Sequence, residues 1–187
     1  IIVQNGTTKF DGVINPDAAL EGGLTIRSGG KLVMLNNNTV EGPSRAFVNA
    51  FEMGKNGTLQ LNLKPDNSAG AYPTIASNTA ALGGTFRAKY ASGLYGDKTI
   101  YENVITSNGR TGRFDDVTDN SALLSTKLLY DADENVDIKV KRVGFGDVNG
   151  LTRNQKSAGG GIEKVYDDLP NSGPFSDIVQ DLFTLDG

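Results

Sequence analysis

The amino-acid sequence predicts a mainly β chain: a parallel β-solenoid that ends in a hairpin-rich cap and a short helical tail. Three observations predict it. First, a glycine-then-apolar strand start occurs four times, at Gly30-Lys31-Leu32, Gly57-Thr58-Leu59, Gly84-Thr85-Phe86 and Gly112-Arg113-Phe114. The apolar positions 32, 59, 86 and 114 are separated by 27, 27 and 28 residues. A fixed period in this range suits one coil of a solenoid. Such a coil buries its apolar face only by stacking on the next one, about 4.8 Å away. Second, up to about residue 143 the apolar residues follow a period of two, broken by Gly and Asn. Third, the period changes after Gly146 to the 3-and-4 spacing of helices.

Ile1–Val3, the Asn5-Gly6 turn and Thr7–Phe10 are expected to make a first pair of strands. Leu24–Ile26 and Lys31–Leu35 follow, divided by Ser28-Gly29-Gly30 and closed by Asn36-Asn37-Asn38. Phe51 and Met53 lead into Gly54–Gly57, and Leu59, Leu61 and Leu63 then alternate with Gln60, Asn62 and Lys64. Asn and Gly suit the corners because both tolerate positive φ. Residues 65–80, with Pro65 and Pro73, read as a loop leaving the coil.

Strands return from 84 to 143: Thr85–Tyr90, Ile100–Ile105 and a short Phe114–Val117. Leu128–Tyr130, a turn at Asp131–Asn135, and Val136–Val143 read as a hairpin, with Val136, Ile138 and Val140 on one face and Asp137, Lys139 and Lys141 on the other. In the tail, Ile162, Val165 and Leu169 have helical spacing, with Gly159-Gly160-Gly161 expected to break or hinge the helix. A last helix is expected after Pro170, capped by Ser176, with Phe175, Ile178, Val179, Leu182 and Phe183 on one stripe. That stripe is expected to cover the chain's own solenoid.

Composition narrows the function classes. The 187 residues are 37% hydrophobic and only 7% aromatic, which suits an elongated fold with a thin core. The net charge of −4, with Lys and Arg scattered singly, argues against a nucleic-acid partner. There is no Cys and no His. Thiol and Ser-His nucleophiles and Cys/His zinc sites therefore cannot be built from these residues. The absence of Cys also fits passage through an oxidising compartment. No apolar run approaches the ~18 residues of a spanning helix, so direct membrane insertion is not expected. The chain starts Ile1-Ile2-Val3, without Met or a leader pattern, and reads as a piece of a longer protein.

From residue 84 to 145 the order of turns and strands is distinctive. Gly84-Thr85-Phe86 is followed by Tyr101–Ile105 and then by Gly112-Arg113-Phe114-Asp115-Asp116-Val117. Leu129-Tyr130-Asp131, Val136-Asp137-Ile138-Lys139-Val140 and Phe145 complete the run, and a polar segment, Leu151–Gln155, precedes the tail. This order resembles the C-terminal passenger region of autotransporters, the type V secreted proteins of Gram-negative bacteria. The resemblance covers roughly residues 80–187.

It implies a right-handed parallel β-helix whose last coils form an autochaperone, or junction, that folds first outside the outer membrane and templates the rest. On that reading residues 1–80 are stalk coils, 81–148 the autochaperone-like coils and hairpin, and 149–187 a helical linker toward a membrane barrel. The implied partners are that outer-membrane barrel, the upstream passenger coils and, through the passenger, a host surface. The implied location is the bacterial cell surface or the medium. The Gly triplet departs from a continuous pore helix. Phe86, Tyr90, Phe114, Tyr130, Val136, Ile138, Val140 and Phe145 are expected to pack the cap and carry the folding role.

No enzymatic role, cofactor or metal is expected within these residues. Asp131–Asn135 resembles the start of a calcium loop, but Val136 stands where that loop needs Gly and Arg142 where it needs Glu, so a solvated turn is expected. Asp115, Asp116 and Asp119 could serve as an acid pair for glycoside chemistry, and Asp167-Asp168 form a second pair in the expected last turn of a helix. Turn-borne Asp is commonly structural. The sequons at Asn5, Asn37 and Asn56 are explained by turn geometry. The alternatives are a carbohydrate-active β-helix enzyme and a passive adhesin stalk.

Overall fold

The computed structural model of the chain describes every residue except 16, 18–19, 38–41, 133 and 186–187. The expected turn at Asn36-Asn37-Asn38, the sequon at Asn37 and the calcium-loop comparison each reach into those positions. Two parallel sheets wind into a β-solenoid of about four turns. The first is built from β1 (Ile2–Val3), β4 (Gly23–Ile26), β6 (Arg45–Met53), β8 (Thr74–Leu82) and β10 (Lys98–Ser107). The second is built from β2 (Gly6–Phe10), β5 (Gly30–Met34), β7 (Thr58–Leu63), β9 (Thr85–Tyr90) and β12 (Asp116–Thr118). Two short strands complete the first sheet: β3 (Val13–Ile14) pairs with the start of β6, and β11 (Arg110–Gly112) with the end of β8.

The core consists of like positions stacked coil on coil. Leu32 stands on Leu59 and Leu59 on Phe86, while Met34 stands on Leu61 and Leu61 on Ala88. On the facing sheet Leu24 meets Phe51 and Phe51 meets Ala80. Two of these ladders end on a small residue, Ala88 after Leu61 and Ala80 after Phe51, and the rest stack large apolar side chains on one another. All of these residues are buried.

The repeated glycines make the corners. Gly84 has φ +62°, and a Cβ there would collide with the Gly57 carbonyl of the preceding coil. Asn5, φ 50°, and Gly6, φ 134°, make another corner. They do not join β1 and β2 as a pair, as expected from sequence. β1 lies on β4 and β2 on β5. Two successive residues at positive φ, the second a glycine, steer the chain between sheets instead of reversing it.

Two further expectations change. Residues 74–80 are not loop: they belong to β8, a nine-residue strand between β6 and β10. Its Ala, Ser and Asn carry little local strand preference, and pairing on both edges overrides that. The fourth glycine repeat also falls out of step. Val117, not Phe114, pairs with Phe86, and the strand is Asp116–Thr118. The chain spends Arg113–Asp115 on the corner, and the Asp115 Oδ2 accepts the Gly84 N–H at 2.7 Å.

β13 (Leu124–Tyr130) and β14 (Val136–Arg142) form the expected antiparallel hairpin. β14 also pairs antiparallel with β10, while residues 105–107 of β10 remain parallel to β8. A bulge between Tyr101 and Ile105, with Asn103 at φ 55°, separates the two regimes.

The tail holds α1 (Arg153–Glu163), a 3-10 turn (Tyr166–Asp168) and α2 (Pro174–Leu182). The Gly triplet does not interrupt α1. A capping box between Thr152 and Gln155 starts the helix, and Gly159 packs where no side chain fits. The helix ends at Glu163, so Val165 is exposed and the Asp167-Asp168 pair sits in the 3-10 turn. α2 is capped at Gly173 with Pro174 in its first turn, and Ser176 is buried inside the helix. The expected apolar stripe divides: Val179 and Phe183 are fully buried, while Phe175 and Ile178 are 48% and 62% exposed. Among the described residues no helix is long and apolar enough to cross a membrane.

The stacked corners make a direct prediction. Gly84→Ala should lower unfolding stability by roughly 2–3 kcal/mol, through backbone strain and the collision with Gly57. The denaturant midpoint of the variant against the parent checks it.

Candidate functional site: the terminal cap

A parallel solenoid leaves a row of unpaired peptide groups at each end. At the end formed by β9, β10 and β12, several devices cover that row. The side chain of Asn120 accepts from the Tyr90 N–H at 2.6 Å and donates to the Tyr90 carbonyl at 3.2 Å. One amide side chain thus takes the place of a peptide of the next coil. The hairpin covers β10, and its β14 buries Val136, Ile138 and Val140 as expected.

The predicted cap residues fall into three groups. Phe86 and Phe114 meet edge-on, ring centroids 5.4 Å apart, at the foot of Tyr130. The Phe114 N–H donates to Tyr130 Oη at 3.2 Å. The guanidinium groups of Arg110 and Arg113 lie 5.0 and 4.8 Å from the Tyr130 ring centroid, which leaves that ring half-buried between two cations. Tyr90 packs against Tyr95 at 5.6 Å. Its hydroxyl is 2.7 Å from Thr126 Oγ1, which itself donates to Asp119 at 2.6 Å, so the single proton left for the pair comes from Tyr90.

Phe145 belongs to the third group, which ties the tail to the solenoid. It lies 5.3 Å from Tyr166 and 5.8 Å from Phe183, and Phe183 reaches Tyr95 at 5.3 Å. Tyr166 Oη donates to the Tyr95 carbonyl at 2.8 Å. Arg142 forms the latch. Its guanidinium bonds Glu163 of α1 at 2.7 Å and Asp97 of the solenoid at 2.5 Å, and it lies 4.3 Å from the Tyr166 ring centroid. Glu163 also accepts the Phe145 N–H at 3.1 Å. Further along, Ser92 bonds Asp181 at 2.7 Å, and the Ala122 N–H donates to the Leu185 carbonyl at 3.0 Å. The tail is therefore folded back onto the cap.

Tyr95, Tyr166 and Asn120 are not marked as cap residues by the sequence, and Arg142 stands out there only as a mismatch to a calcium loop. Tyr95 sits in the Gly-rich stretch Ala91–Gly96 and Asn120 in Asp119–Ser121, where local pattern gives no burial signal. Phe183 was legible as part of the helical stripe.

Two of the three candidate acids of the 115–119 turn are engaged in structural hydrogen bonds. Asp115 holds the Gly84 N–H, Asp119 holds Thr126 and the Ser121 N–H, and Asp116 stands exposed on β12. Asp131 closes the hairpin turn by accepting from the Asn135 N–H at 2.7 Å, and Asp133 lies outside the described residues. Among the described residues no three carboxylates gather into a metal-binding group.

The comparison with known proteins is silent: no family model, no characterised protein and no solved structure matches this chain.

Two predictions follow from the cap. A Cβ on Gly159 would collide with the Phe145 carbonyl, whereas Gly160 and Gly161 face open space. Gly159→Ala should undock the tail and lower the thermal midpoint, while Gly161→Ala should raise stability by roughly 0.5–1 kcal/mol through helix propensity; thermal unfolding of the two variants compares them.

The second concerns alkaline pH. All six tyrosines are pushed above their usual value, first by burial, and Tyr166 reaches about 12. A folded-state pKa above the unfolded value means stability that is complete below pH ~10 and lost as pH rises through the folded values. Tyrosinate absorbance should therefore appear cooperatively with unfolding, above the pH at which free tyrosine ionises.

Proposed function

We propose that this chain is a solenoid stalk with a terminal folding cap, acting as the autochaperone of an exported β-helical protein of the autotransporter type it resembles. The observation that carries this reading is the inequality of its two ends. At one end the hairpin pairs with β10, Asn120 takes up the Tyr90 peptide and the tail docks on the aromatic cluster, while the three-residue β12 keeps one strand neighbour. At the other, β1 and β2 each have a single strand neighbour, and Ile1 and Ile2 are both 59% exposed. A strand with a free parallel edge is a template on which a further coil can pair.

Kinetics supports the same direction. Parallel coils close only through contacts some 27 residues apart, such as Leu32 with Leu59. The hairpin closes through a five-residue turn, 131–135, between adjacent strands. Local closure is the faster event, so the hairpin forms first and presents β14 as a partner for β10. On this reading the partners are upstream coils and an outer-membrane barrel, the site of action is the cell surface, and Phe86, Phe114, Tyr130, Val136, Ile138 and Val140 carry the role by packing.

Phe114→Ala should lower stability by roughly 3 kcal/mol, as truncation of a buried aromatic does. Surface display of a full-length protein carrying the variant should fall with it. Wild-type display of Phe114→Ala, and of a deletion of residues 84–145, would assign the chain to a passive stalk instead.

A further inference from the structure

Outside the cap, the solvent face of the second sheet carries a groove of about 600 Å³. Four cations line it: Lys9 from β2, Lys31 from β5, and Arg87 and Lys89 from β9. Between them lie the side-chain amides of Gln60 and Asn62, bonded to each other at 2.9 Å. The strand register assembles the set. Lys9, Val33, Gln60 and Arg87 form one ladder, and Lys31, Thr58 and Thr85 a second. Three inter-strand steps separate Lys9 from Arg87, about 14 Å along the stack.

The charge in this groove is unanswered. The lining contains no carboxylate, and among the described residues none of the four cations forms an ion pair. The Nε of Arg87 is buried and has no hydrogen-bond partner. Burial, and then the charges of Arg87 and Lys89, push the Lys31 ammonium below its usual value. These cations repel one another in a protein whose net charge is −4. A bound anion relieves that repulsion and supplies the missing acceptors.

We infer that this groove is a binding site for an acidic glycan, a linear sugar chain bearing carboxylates or sulfates. The cations on three of four neighbouring strands match charges repeated along an extended ligand, and Gln60, Asn62 and Thr184 offer hydrogen-bonding partners to its hydroxyls. Single-stranded nucleic acid is favoured by aromatic stacking platforms, and no aromatic side chain lines the groove. A peptide needs apolar anchors, and only Val33 and Leu35 supply apolar wall. The inference stands apart from the folding role of the cap.

The test is titration calorimetry of the chain with heparin and with polygalacturonate, alongside neutral dextran and poly-glutamate. Saturable binding of one or both acidic glycans is expected, with none of dextran and weaker binding of poly-glutamate. Lys9→Gln/Lys31→Gln/Arg87→Gln/Lys89→Gln should weaken that binding at least tenfold. Because Lys31 and Arg87 are half-buried, the exposed pair Lys9→Glu/Lys89→Glu provides a second variant, with circular dichroism verifying its fold, and it should also weaken binding. A control removes the same charge from β10 and the hairpin packed on it, Lys98→Gln/Lys127→Gln/Lys139→Gln/Lys141→Gln, and should leave binding unchanged. Equal loss in the control, no binding of either acidic glycan, or poly-glutamate binding as tight as the glycans would overturn the inference.

Discussion

Everything in this molecule depends on parallel, in-register stacking: each coil completes its hydrogen bonds and buries its apolar side chains only on the coil beside it. Leu32, Leu59 and Phe86 stand one on another, and so do Ala46, Ile75 and Ile105. Stability of this kind is close to a sum of neighbour terms, which makes the ends decisive. A coil with one neighbour has half the contacts and an open backbone edge.

The cap answers that constraint with chemistry the repeating coils do not use. It changes strand direction at β14, substitutes the Asn120 amide for a missing peptide, and gathers Tyr95, Phe145, Tyr166 and Phe183 into one cluster. Arg142 binds solenoid and tail together through two carboxylates, Asp97 largely exposed and Glu163 partly so, so its main contribution is orientation rather than a large electrostatic gain. Gly159 belongs to the same design: helix propensity is given up there for close approach of α1 to the Phe145 backbone.

The period of 27 was legible because inward residues recur at each coil, and the hairpin because alternation and turn residues are local signals. What escaped the sequence is non-local. β8 has weak intrinsic strand preference and exists because β6 and β10 flank it. The helix through Gly159–Gly161 persists because of what it packs on. The cationic groove was hidden in a different way: Lys and Arg that look scattered along the chain fall on outward positions of successive coils. Laying the 27-residue repeats side by side aligns Val33, Gln60 and Arg87, and Asn62 with Lys89, and so exposes the set.

The unequal ends place the highest expected stability in the cap, falling toward the open coils. Native-state hydrogen exchange of the isolated chain tests this, because it resolves opening free energies strand by strand. Amides of β9, β10, β13 and β14 are expected to exchange only through global unfolding, with protection falling step by step through β7 and β5 to β2 and β1. Equal protection along the stack, or protection greatest in β1 and β2, would contradict it.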